Sequence, residues 1–339
     1  MIGRNPGHVT SQGEILGDVL ARAGFPVLSV SSAPSRYLRA AEIVGTLLRE
    51  RHRLDVLILE CYGGPCFVVE DAASLIAHHS GLRLVIHLHG GAMPMFMARH
   101  PQWTRRVLGR AHALVAPSPF LALAVEPYGV SARVIPNVLD LDAYQFRLRT
   151  APRPRLLWMR SFHEIYNPLL AVRVLALVRE RLPDATLVMA GQEKGLSAAT
   201  MAEAQRLGVT GAVRFPGFLG PEAKMREGDA ADVFLNTNRV DNAPVAVLEA
   251  AAMGLPVVST DVGGVRNLVR HEHSALLARD GDAAALADAV VRLVTEPGLA
   301  ERLGRNARRV AERSAEPAVA GEWHQLLGEL ARMPAERLV

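Results

Sequence analysis

One stretch of the sequence, residues 241–261, constrains the fold more than any other. It reads D-N-A-P-V-A-V-L-E-A-A-A-M-G-L-P-V-V-S-T-D, the order expected for a loop, a helix, a tight turn and a strand. Pro244 suits the first turn of a helix over 245–253, because its missing N–H needs no partner there. Gly254 supplies the backbone freedom of a helix C-terminus, and the apolar run after it is typical of a strand buried in a parallel sheet. The stretch therefore predicts part of an α/β domain.

Two carboxylates in this stretch are candidates for ligand binding. Glu249 lies on the apolar face of the predicted helix, where a carboxylate is costly unless it has a partner. Asp241 precedes it by two helical turns, so a helix N-terminus, which favours anions, lies between the two. This suits a nucleotide sugar, with one carboxylate on the sugar, phosphates at the helix start and the other carboxylate on the ribose. The alternative, that Asp241 only caps the helix and Glu249 extends to solvent, explains the spacing equally well.

The same stretch resembles the E-x-x-x-x-x-x-x-E motif of glycosyltransferase family four, whose members have the GT-B fold. Glu249 matches the second Glu, Asp241 stands in place of the first, and the family's usual continuation E-A-x-A-x-G-x-P-V-V follows. The resemblance implies an α/β protein of two Rossmann-like, doubly wound domains that face a cleft. It places an acceptor-side domain at 1–150, with an apparently truncated first strand, and a nucleotide-sugar domain at 151–318. A C-terminal helix at 319–339 is expected to cross back to the first domain.

Length and composition agree with a globular protein of two domains. The chain has 339 residues, of which 50% are hydrophobic and 21% charged. No apolar run reaches the roughly 18 to 20 residues of a membrane span, and the N-terminus lacks the plan of a signal peptide. Two cysteines, Cys61 and Cys66, are too few for a disulfide scaffold. We therefore expect a cytoplasmic protein with two ordinary thiols.

The charge is modest and lies in the first half. The net charge is +4, and residues 1–150 contain fifteen arginines against eleven acidic residues, while the remainder is neutral. Because only two lysines accompany thirty-six arginines, the excess of arginine reflects genome composition, and no nucleic-acid partner is predicted. A basic first domain is compatible with an anionic acceptor or with peripheral contact at the inner membrane face. A plain solvated surface explains it equally well.

Strand-like and helix-like segments alternate along the whole chain, which predicts parallel sheets with crossover helices. After the N-terminal loop the pattern predicts a helix over 14–24 and a strand over 26–31. An Arg/Pro-rich segment at 147–155 is predicted to be the hinge. These two domains would hold their ligands at the carboxyl ends of the strands.

The resemblance implies roles for several residues of the donor domain. Arg160 ends a predicted strand and resembles the family's diphosphate-binding arginine, a role that suits a forked, permanently charged group. Relatives carry a lysine shortly afterwards, but here the loop ends in Asn167, which can hydrogen-bond a phosphate and cannot neutralise it. Gly217 and Phe218 lie where relatives contact the nucleobase, although Phe218 could equally fill core. The donor sugar would be held by Asp241 and the backbone that follows it: Asn242, Ala243, Pro244 and Val245.

The first domain offers a glycine loop and a histidine pair. Gly13 and Glu14 match the acceptor-side loop of the family, although a plain turn into a helix explains them equally well. His87 and His89 point to one side of a predicted strand, and His89 stands where relatives place a histidine lining the catalytic cleft. A pair at i, i+2 could also bind a metal, but no third ligand is evident nearby in the sequence. We therefore interpret His89 as a cleft residue and His87 as structural, with two ordinary sheet histidines as the alternative.

The resemblance implies transfer of a sugar from a nucleotide-sugar donor to a hydroxyl, with retention of configuration and without a metal or cofactor. His89, Arg160 and Asp241 would be the catalytic residues, and the leaving phosphate would take the acceptor proton. The acceptor could be a lipid carrier, a glycan or a small molecule. One alternative is a lapsed nucleotide-sugar-binding subunit, which Asn167 and the short first strand favour. The other is a sugar-nucleotide epimerase, whose acid/base pair the sequence does not show.

Overall fold

The computed structural model describes residues 10–33 and 35–333. These residues form two compact units, one made of 10–138 with 316–333 and the other of 139–315. The truncated strand predicted at the start of the chain falls in residues 1–9, outside the described part.

The first unit is built on a parallel sheet whose described strands have the order β1-β2-β3-β4. The strands are β1 (Val56–Cys61), β2 (Arg83–Leu88), β3 (Ala113–Ala116) and β4 (Arg133–Val134). The helices are α1 (Gln12–Arg22), α2 (Arg36–Glu50), α3 (Phe67–His79), α4 (Met93–Arg99), α5 (Pro101–Leu108), α6 (Pro119–Val125) and, from the C-terminus, α14 (Glu316–Arg332). Each strand is followed by helix and then by the next parallel strand, as the alternating sequence pattern predicts.

The prediction of a strand over 26–31 is wrong. This segment lies outside the hydrogen-bonded ladder, β1 is the edge of the described sheet, and Val27 and Leu28 are exposed. A strand is stable only when its N–H and C=O groups pair with a neighbour, and this segment has none among the described residues. Apolar composition alone therefore misled the prediction.

Helix α14 belongs to the first unit, as predicted for the C-terminal helix. Its buried residues Val319 and Trp323 pack with Leu16 and Val19 of α1 and with Val85 of β2. Arg22 of α1 also forms a two-pronged ion pair with Glu316, at 2.8 and 2.9 Å. The C-terminal helix thus covers one face of the sheet, and α3 to α6 cover the other.

The second unit contains a parallel sheet of six described strands in the order β10-β9-β8-β5-β6-β7. The strands are β5 (Arg155–Met159), β6 (Thr186–Ala190), β7 (Val213–Gly217), β8 (Val233–Asn236), β9 (Val257–Thr260) and β10 (Leu276–Ala278). The helices are α7 (Pro168–Arg181), α8 (Ser197–Arg206), α9 (Pro221–Ala230), α10 (Val245–Ala252), α11 (Val265–Leu268), α12 (Ala283–Thr295) and α13 (Leu299–Glu312). This is the doubly wound Rossmann order, and it confirms the predicted fold class.

The strand order places a switch point between β5 and β8. From β5 the chain builds outward through β6 and β7, then returns to the other side of β5 and builds outward through β8, β9 and β10. Loops that follow β5 and β8 therefore diverge at neighbouring carboxyl ends, which is where ligands of such sheets bind.

The boundary between the units falls earlier than the predicted position at 150. Leu139 already bonds within the second unit, its N–H donating to the carbonyl of Ser314 at 2.7 Å. Arg149 is buried, and its guanidinium donates to backbone carbonyls of Gly228, Ala231 and Met253. The Arg/Pro-rich segment predicted as a hinge thus contains an arginine, Arg149, that is anchored inside the second unit.

Candidate functional site

Arg160 and Asp241 meet at the switch point of the second unit. Arg160 directly follows β5, and Asp241 lies in the loop between β8 and α10. The Arg160 guanidinium donates to the Asp241 carboxylate and lies over the ring of Tyr166, 4.1 Å from its centroid. Both charged side chains are largely buried. The structure therefore brings together two of the three residues that the sequence nominated as catalytic.

Two glycines allow the backbone to hold this pair in place. A Cβ at Gly191 would lie 1.8 Å from the carbonyl oxygen of Arg160, and one at Gly263 would lie 2.1 Å from that of Asp241. Gly263 has φ +50°, and the next N–H, of Gly264, donates to the Asp241 carbonyl at 3.1 Å. Only glycine fits where two backbones approach this closely. The V-G-G-V turn at 262–265 thus fixes the position of Asp241.

Buried polar groups surround the pair. Asn238 donates from its side chain to the Asp241 carboxylate, and the N–H of Asn242 donates to the same carboxylate at 2.8 Å. The Nε of Arg160 is buried and has no hydrogen-bond partner among the described residues. A buried guanidinium with an unused donor is suited to an anionic ligand, since it gains a charge-assisted hydrogen bond when the anion arrives. Asn238 is not predictable from the sequence, because nothing in its spacing marks it.

The alternative in which Asp241 only caps the helix is wrong. Helix α10 begins at Val245, and its N-cap residue is Pro244, which makes no side-chain cap. The Asp241 carboxylate is used instead by Arg160, Asn238 and the backbone of the next residue. Of the segment nominated to hold the donor sugar, Asn242 and Ala243 are buried in the loop before α10.

Glu249 has partners inside the unit and does not extend to solvent. Its Oε1 accepts from the hydroxyl of Tyr144 at 2.9 Å and from the ammonium of Lys224 at 2.6 Å. Burial and the Glu249 carboxylate raise the pKa of Tyr144, so its phenol stays a donor. The sequence missed both partners, because Tyr144 and Lys224 are distant along the chain and reach Glu249 only through the fold.

Asn167 lies in the left-handed region, with φ +48°, at the start of α7. Asn tolerates this conformation better than most residues. Its side chain makes no capping bond, while its carbonyl accepts from the hydroxyl of Thr237 at 3.1 Å. Asn167 is therefore a turn residue, and it is held in place by Thr237, the residue that follows β8.

Gly217 and Phe218 line a pocket at the carboxyl ends of β6 and β7. The pocket measures about 440 Å³. Phe218 is partly exposed, so it is a pocket wall and not core. The other residues that line the pocket are Phe162, Gly191, Gln192, Glu193, Lys194, Ser197, Met201 and Phe215. An aromatic wall with polar groups around it suits a flat, partly polar ligand such as a nucleobase.

His87 and His89 of the first unit have a third neighbour that the sequence analysis missed. Glu60 of β1 is the register partner of His87 in β2. Its Oε1 lies 3.2 Å from His87 Nδ1, and its Oε2 bonds His89 Nε2. The sequence showed no third ligand near the histidine pair, but Glu60 is one in the fold, because parallel pairing brings together residues that are far apart in sequence.

Charge in this cluster follows from burial and hydrogen bonding. Burial lowers the pKa of His89, so its imidazole is neutral near pH 7. Burial also acts to raise the pKa of Glu60, but the two histidines outweigh it and hold the pKa below its usual range. A neutral imidazole that donates its N–H to an ionised carboxylate is consistent with the lowered pKa of His89 and with the lowered pKa of Glu60.

Gly13 and Glu14 lie in the first turn of α1 and not in a loop before it. Helix α1 begins at Gln12, and the hydroxyl of Ser11 caps it by accepting from the Glu14 N–H at 3.3 Å. A Cβ at Gly13 would lie 2.8 Å from Cδ of Glu60. Gly13 therefore lets the helix approach the Glu60 carboxylate, which ties this predicted pair to the histidine cluster.

Comparison with known proteins finds two families, one in each half of the chain. Residues 4–143 match the family described as Glycosyltransferase Family 4, and residues 153–296 match the one described as Glycosyl transferases group 1. Among the described residues, no helix is long and apolar enough to span a membrane.

Individual relatives agree with these matches. The chain is 28% identical over 247 residues to a D-inositol 3-phosphate glycosyltransferase of Pseudarthrobacter chlorophenolicus, covering 67% of this chain and 58% of that protein. It is 41% identical over 87 residues to the amylovoran biosynthesis glycosyltransferase AmsK of Erwinia amylovora, covering 24% of this chain and 21% of AmsK. The chain thus spans less than two thirds of the length of these relatives.

The fold has solved counterparts. The Anabaena protein HepE, crystallised with UDP, superposes with a TM-score of 0.73 at 20% identity, over 92% of this chain and 88% of HepE.

Proposed function

Because the chain belongs to the glycosyltransferases of family 4 and group 1, we propose that it transfers a sugar from a nucleotide-sugar donor to a hydroxyl acceptor, with retention of configuration. The observation that carries this proposal is the buried Arg160–Asp241 pair at the switch point of the second unit. There an anion and a hydroxylated sugar would each find a matching group.

In the proposed donor complex, the diphosphate competes with Asp241 for the Arg160 guanidinium. The unused Nε of Arg160 and the N-terminus of α10 add donors for the phosphates. Once Arg160 turns to the diphosphate, the Asp241 carboxylate is available for sugar hydroxyls, and the backbone of 242–245 lies beside it. Charge developing on the leaving diphosphate is stabilised by these groups, and the proposed chemistry uses no metal or cofactor there.

The nucleoside is proposed to lie between Glu249 and the pocket. Tyr144 and Lys224 both bind Oε1 of Glu249, and we assign Oε2 to the ribose hydroxyls. Gly217 and Phe218 would contact the base. UDP, present in the HepE crystals, is the first nucleotide to test.

Acceptor-side groups are proposed to come from the first unit. His89 would contact the acceptor, with Gly13 and Glu14 on the same side of the first unit, and the leaving phosphate oxygen would take the acceptor's proton. The acceptor hydroxyl could belong to a glycan, a lipid carrier or a small molecule. Peripheral contact with an acidic membrane stays a prediction from the basic first half of the sequence.

One observation favours a second candidate, a nucleotide-sugar-binding subunit without transfer activity. Asn167, at the position of the family's lysine, is used as a left-handed turn residue, so it supplies no positive charge to the diphosphate. Both candidates predict donor binding, and only the first predicts turnover. Release of UDP from UDP-sugars with a mixture of glycan and lipid acceptors separates them. NMR of the new anomeric proton then reports whether configuration is retained.

Donor binding is tested by a thermal-shift screen of nucleotides and nucleotide sugars without added metal. A ligand at 100 times its Kd stabilises the native state by about 2.7 kcal/mol. For a unit of this size that corresponds to a rise in Tm of roughly 5–10 °C. We expect this shift with one nucleotide and its sugars, and its loss in Glu249→Ala.

The matched control is Glu301→Ala, which removes an exposed acid paired with Arg305 on α13. It should keep the shift of the wild-type protein. If no nucleotide shifts the wild-type Tm, or if Glu249→Ala shifts as much as wild type, the proposed donor site is wrong.

A further inference from the structure

The cluster of Glu60, His87 and His89 combines the features of a metal site. One ligand atom from each side chain lies within 4.8 Å of the other two. Zinc ligands at about 2.0–2.2 Å from the ion lie about 3.4 Å apart in a tetrahedron. Since His87 Nδ1 is already 3.2 Å from Glu60 Oε1, small side-chain movements would bring all three ligands to that spacing.

The imidazoles are held in place by packing. The ring of His87 contacts Trp323 of α14 edge-on, 5.3 Å between centroids, and the ring of His89 stacks on Tyr62 at 4.8 Å. Both histidines are more than nine-tenths buried, and Nε2 of His87 is buried without a hydrogen-bond partner in residues 10–33 and 35–333. The Glu60 side chain is one-quarter exposed, which gives an ion a route in. Fixed ligands with an entry path favour metal binding, because little freedom is lost when the ion arrives.

No neighbouring thiol competes for the ion. Cys61 follows Glu60 in β1, so its side chain points to the opposite face of the sheet. There its Sγ bonds Glu70 at 3.1 Å, and burial together with Glu70 raises its pKa. The ligand set is therefore two imidazole nitrogens and one carboxylate.

A second histidine cluster of this chain shows what such a site requires. His271, Glu272 and His273 are neighbours in sequence, but the side chains of His271 and Glu272 have closer partners elsewhere. Glu272 pairs with Arg292, and Nδ1 of His271 accepts from the N–H of Leu277 at 2.9 Å. The H-E-H motif thus has the composition of a metal site, but its ligand atoms do not converge on one point. In the Glu60 cluster the pairing of β1 with β2 brings the ligand atoms together.

We propose that Glu60, His87 and His89 form a three-ligand site for a divalent transition-metal ion of the zinc class. Imidazole ligands suit Zn²⁺, Co²⁺ or Ni²⁺ and disfavour Mg²⁺ and Ca²⁺. Three protein ligands leave a fourth coordination position for water or another small ligand. When His89 binds an ion through Nε2, its single imidazole proton moves to Nδ1 by way of solvent, so the ligand stays neutral. The site shares His89 with the acceptor side of the proposed sugar transfer, but its ligand geometry depends only on the pairing of β1 with β2.

The test is titration of untagged, chelator-treated full-length protein with Co²⁺ and with Zn²⁺. We expect one Co²⁺ per chain with the intense visible absorption of a four- or five-coordinate ion, and displacement of that absorption by Zn²⁺. Mg²⁺ should not displace it. A weak spectrum of hydrated, six-coordinate Co²⁺ in the wild-type protein would overturn the proposal, and this outcome needs no variant.

Variants locate the ion. Loss of an outer partner of a metal ligand already weakens binding about 10–100-fold, so Glu60→Gln and His87→Ala should each weaken Zn²⁺ by at least tenfold in calorimetry. The control, His271→Ala with His273→Ala, should bind as wild type. Circular dichroism checks that each variant is folded. If Glu60→Gln keeps wild-type affinity, or if only the control loses the ion, the site lies elsewhere and the assignment is wrong.

Discussion

Both units hold a partly buried carboxylate near the carboxyl ends of parallel strands, but the partners of the two carboxylates differ in kind. In the second unit Asp241 pairs with the guanidinium of Arg160, and Glu249 with the ammonium of Lys224. In the first unit Glu60 faces the imidazoles of two histidines. A guanidinium stays charged at any ordinary pH, whereas an imidazole changes charge near neutrality. The second unit thus presents fixed charge to a ligand, and the first presents a group that responds to protons and metal ions.

The largest effect should come from removing the fixed charge of the second unit. Arg160→Ala deletes the proposed stabiliser of the leaving diphosphate, and loss of such a group lowers turnover about 10²–10³-fold. Steady-state release of the nucleotide measures this. Arg181→Ala is the matched control, because Arg181 forms an exposed ion pair with Asp288 and such pairs contribute at most about 1 kcal/mol.

Two results would contradict the role assigned to Arg160. Turnover within twofold of wild type would show that the Arg160–Asp241 pair is structural. Equal losses in Arg160→Ala and Arg181→Ala would show a general effect of lost charge or stability. Thermal unfolding of both variants distinguishes the second result from a site effect.

The sequence predicts the second unit's site better than the first, and the reason is physical. Asp241 and Glu249 flank a single helix N-terminus, so the separation of the two carboxylates follows from their spacing in the sequence. Arg160 was found by resemblance at the end of a strand. Glu60 could not be found in this way, because its relation to His87 depends on which strands pair and in what register.

The partners of the predicted residues were also beyond the sequence. Tyr144 and Lys224 reach Glu249 from other elements, and nothing in their neighbours marks them. The failed strand over 26–31 has the same cause, since a strand requires a partner and an apolar run does not supply one. Residues whose role depends on neighbours in sequence could therefore be predicted, whereas contacts between different helices and strands could not.

A smaller effect should follow from moving Asp241 through its backbone. In Gly263→Ala the new Cβ would lie 2.1 Å from the Asp241 carbonyl oxygen, at φ +50°. Gly281→Ala is a close control, because it has φ +80° and nothing within 4 Å of the new Cβ. Both variants bear the strain of a left-handed alanine, about 1 kcal/mol. Only Gly263→Ala adds the clash, so we expect it to lose about 1–3 kcal/mol more in urea unfolding.

The affinity for the donor gives a second comparison of Gly263→Ala with Gly281→Ala. Gly263→Ala should weaken nucleotide-sugar binding measured by calorimetry, since the Asp241 loop must shift, and Gly281→Ala should not. Equal stability losses in the two variants would mean that the loop accommodates a methyl group, and that Asp241 is not held by this turn.

The smallest effect concerns the pH response expected of the first unit alone. Burial lowers the pKa of His89, so below about pH 6.5, the value of a free histidine, the unfolded chain binds a proton that the native state does not. Stability is then lost as the pH falls, with a slope of at most about 1.4 kcal/mol per pH unit for one proton. The lowered pKa of Glu60 adds a further loss of the same sign below about pH 4.3. Urea unfolding of chelator-treated protein between pH 8 and 5 should show a shallower slope in His89→Gln, whereas exposed His271→Ala should follow the wild-type curve. Superimposable curves for wild type and His89→Gln would mean that this imidazole titrates as if it were in water, and the contrast drawn between fixed and responsive charge would fail.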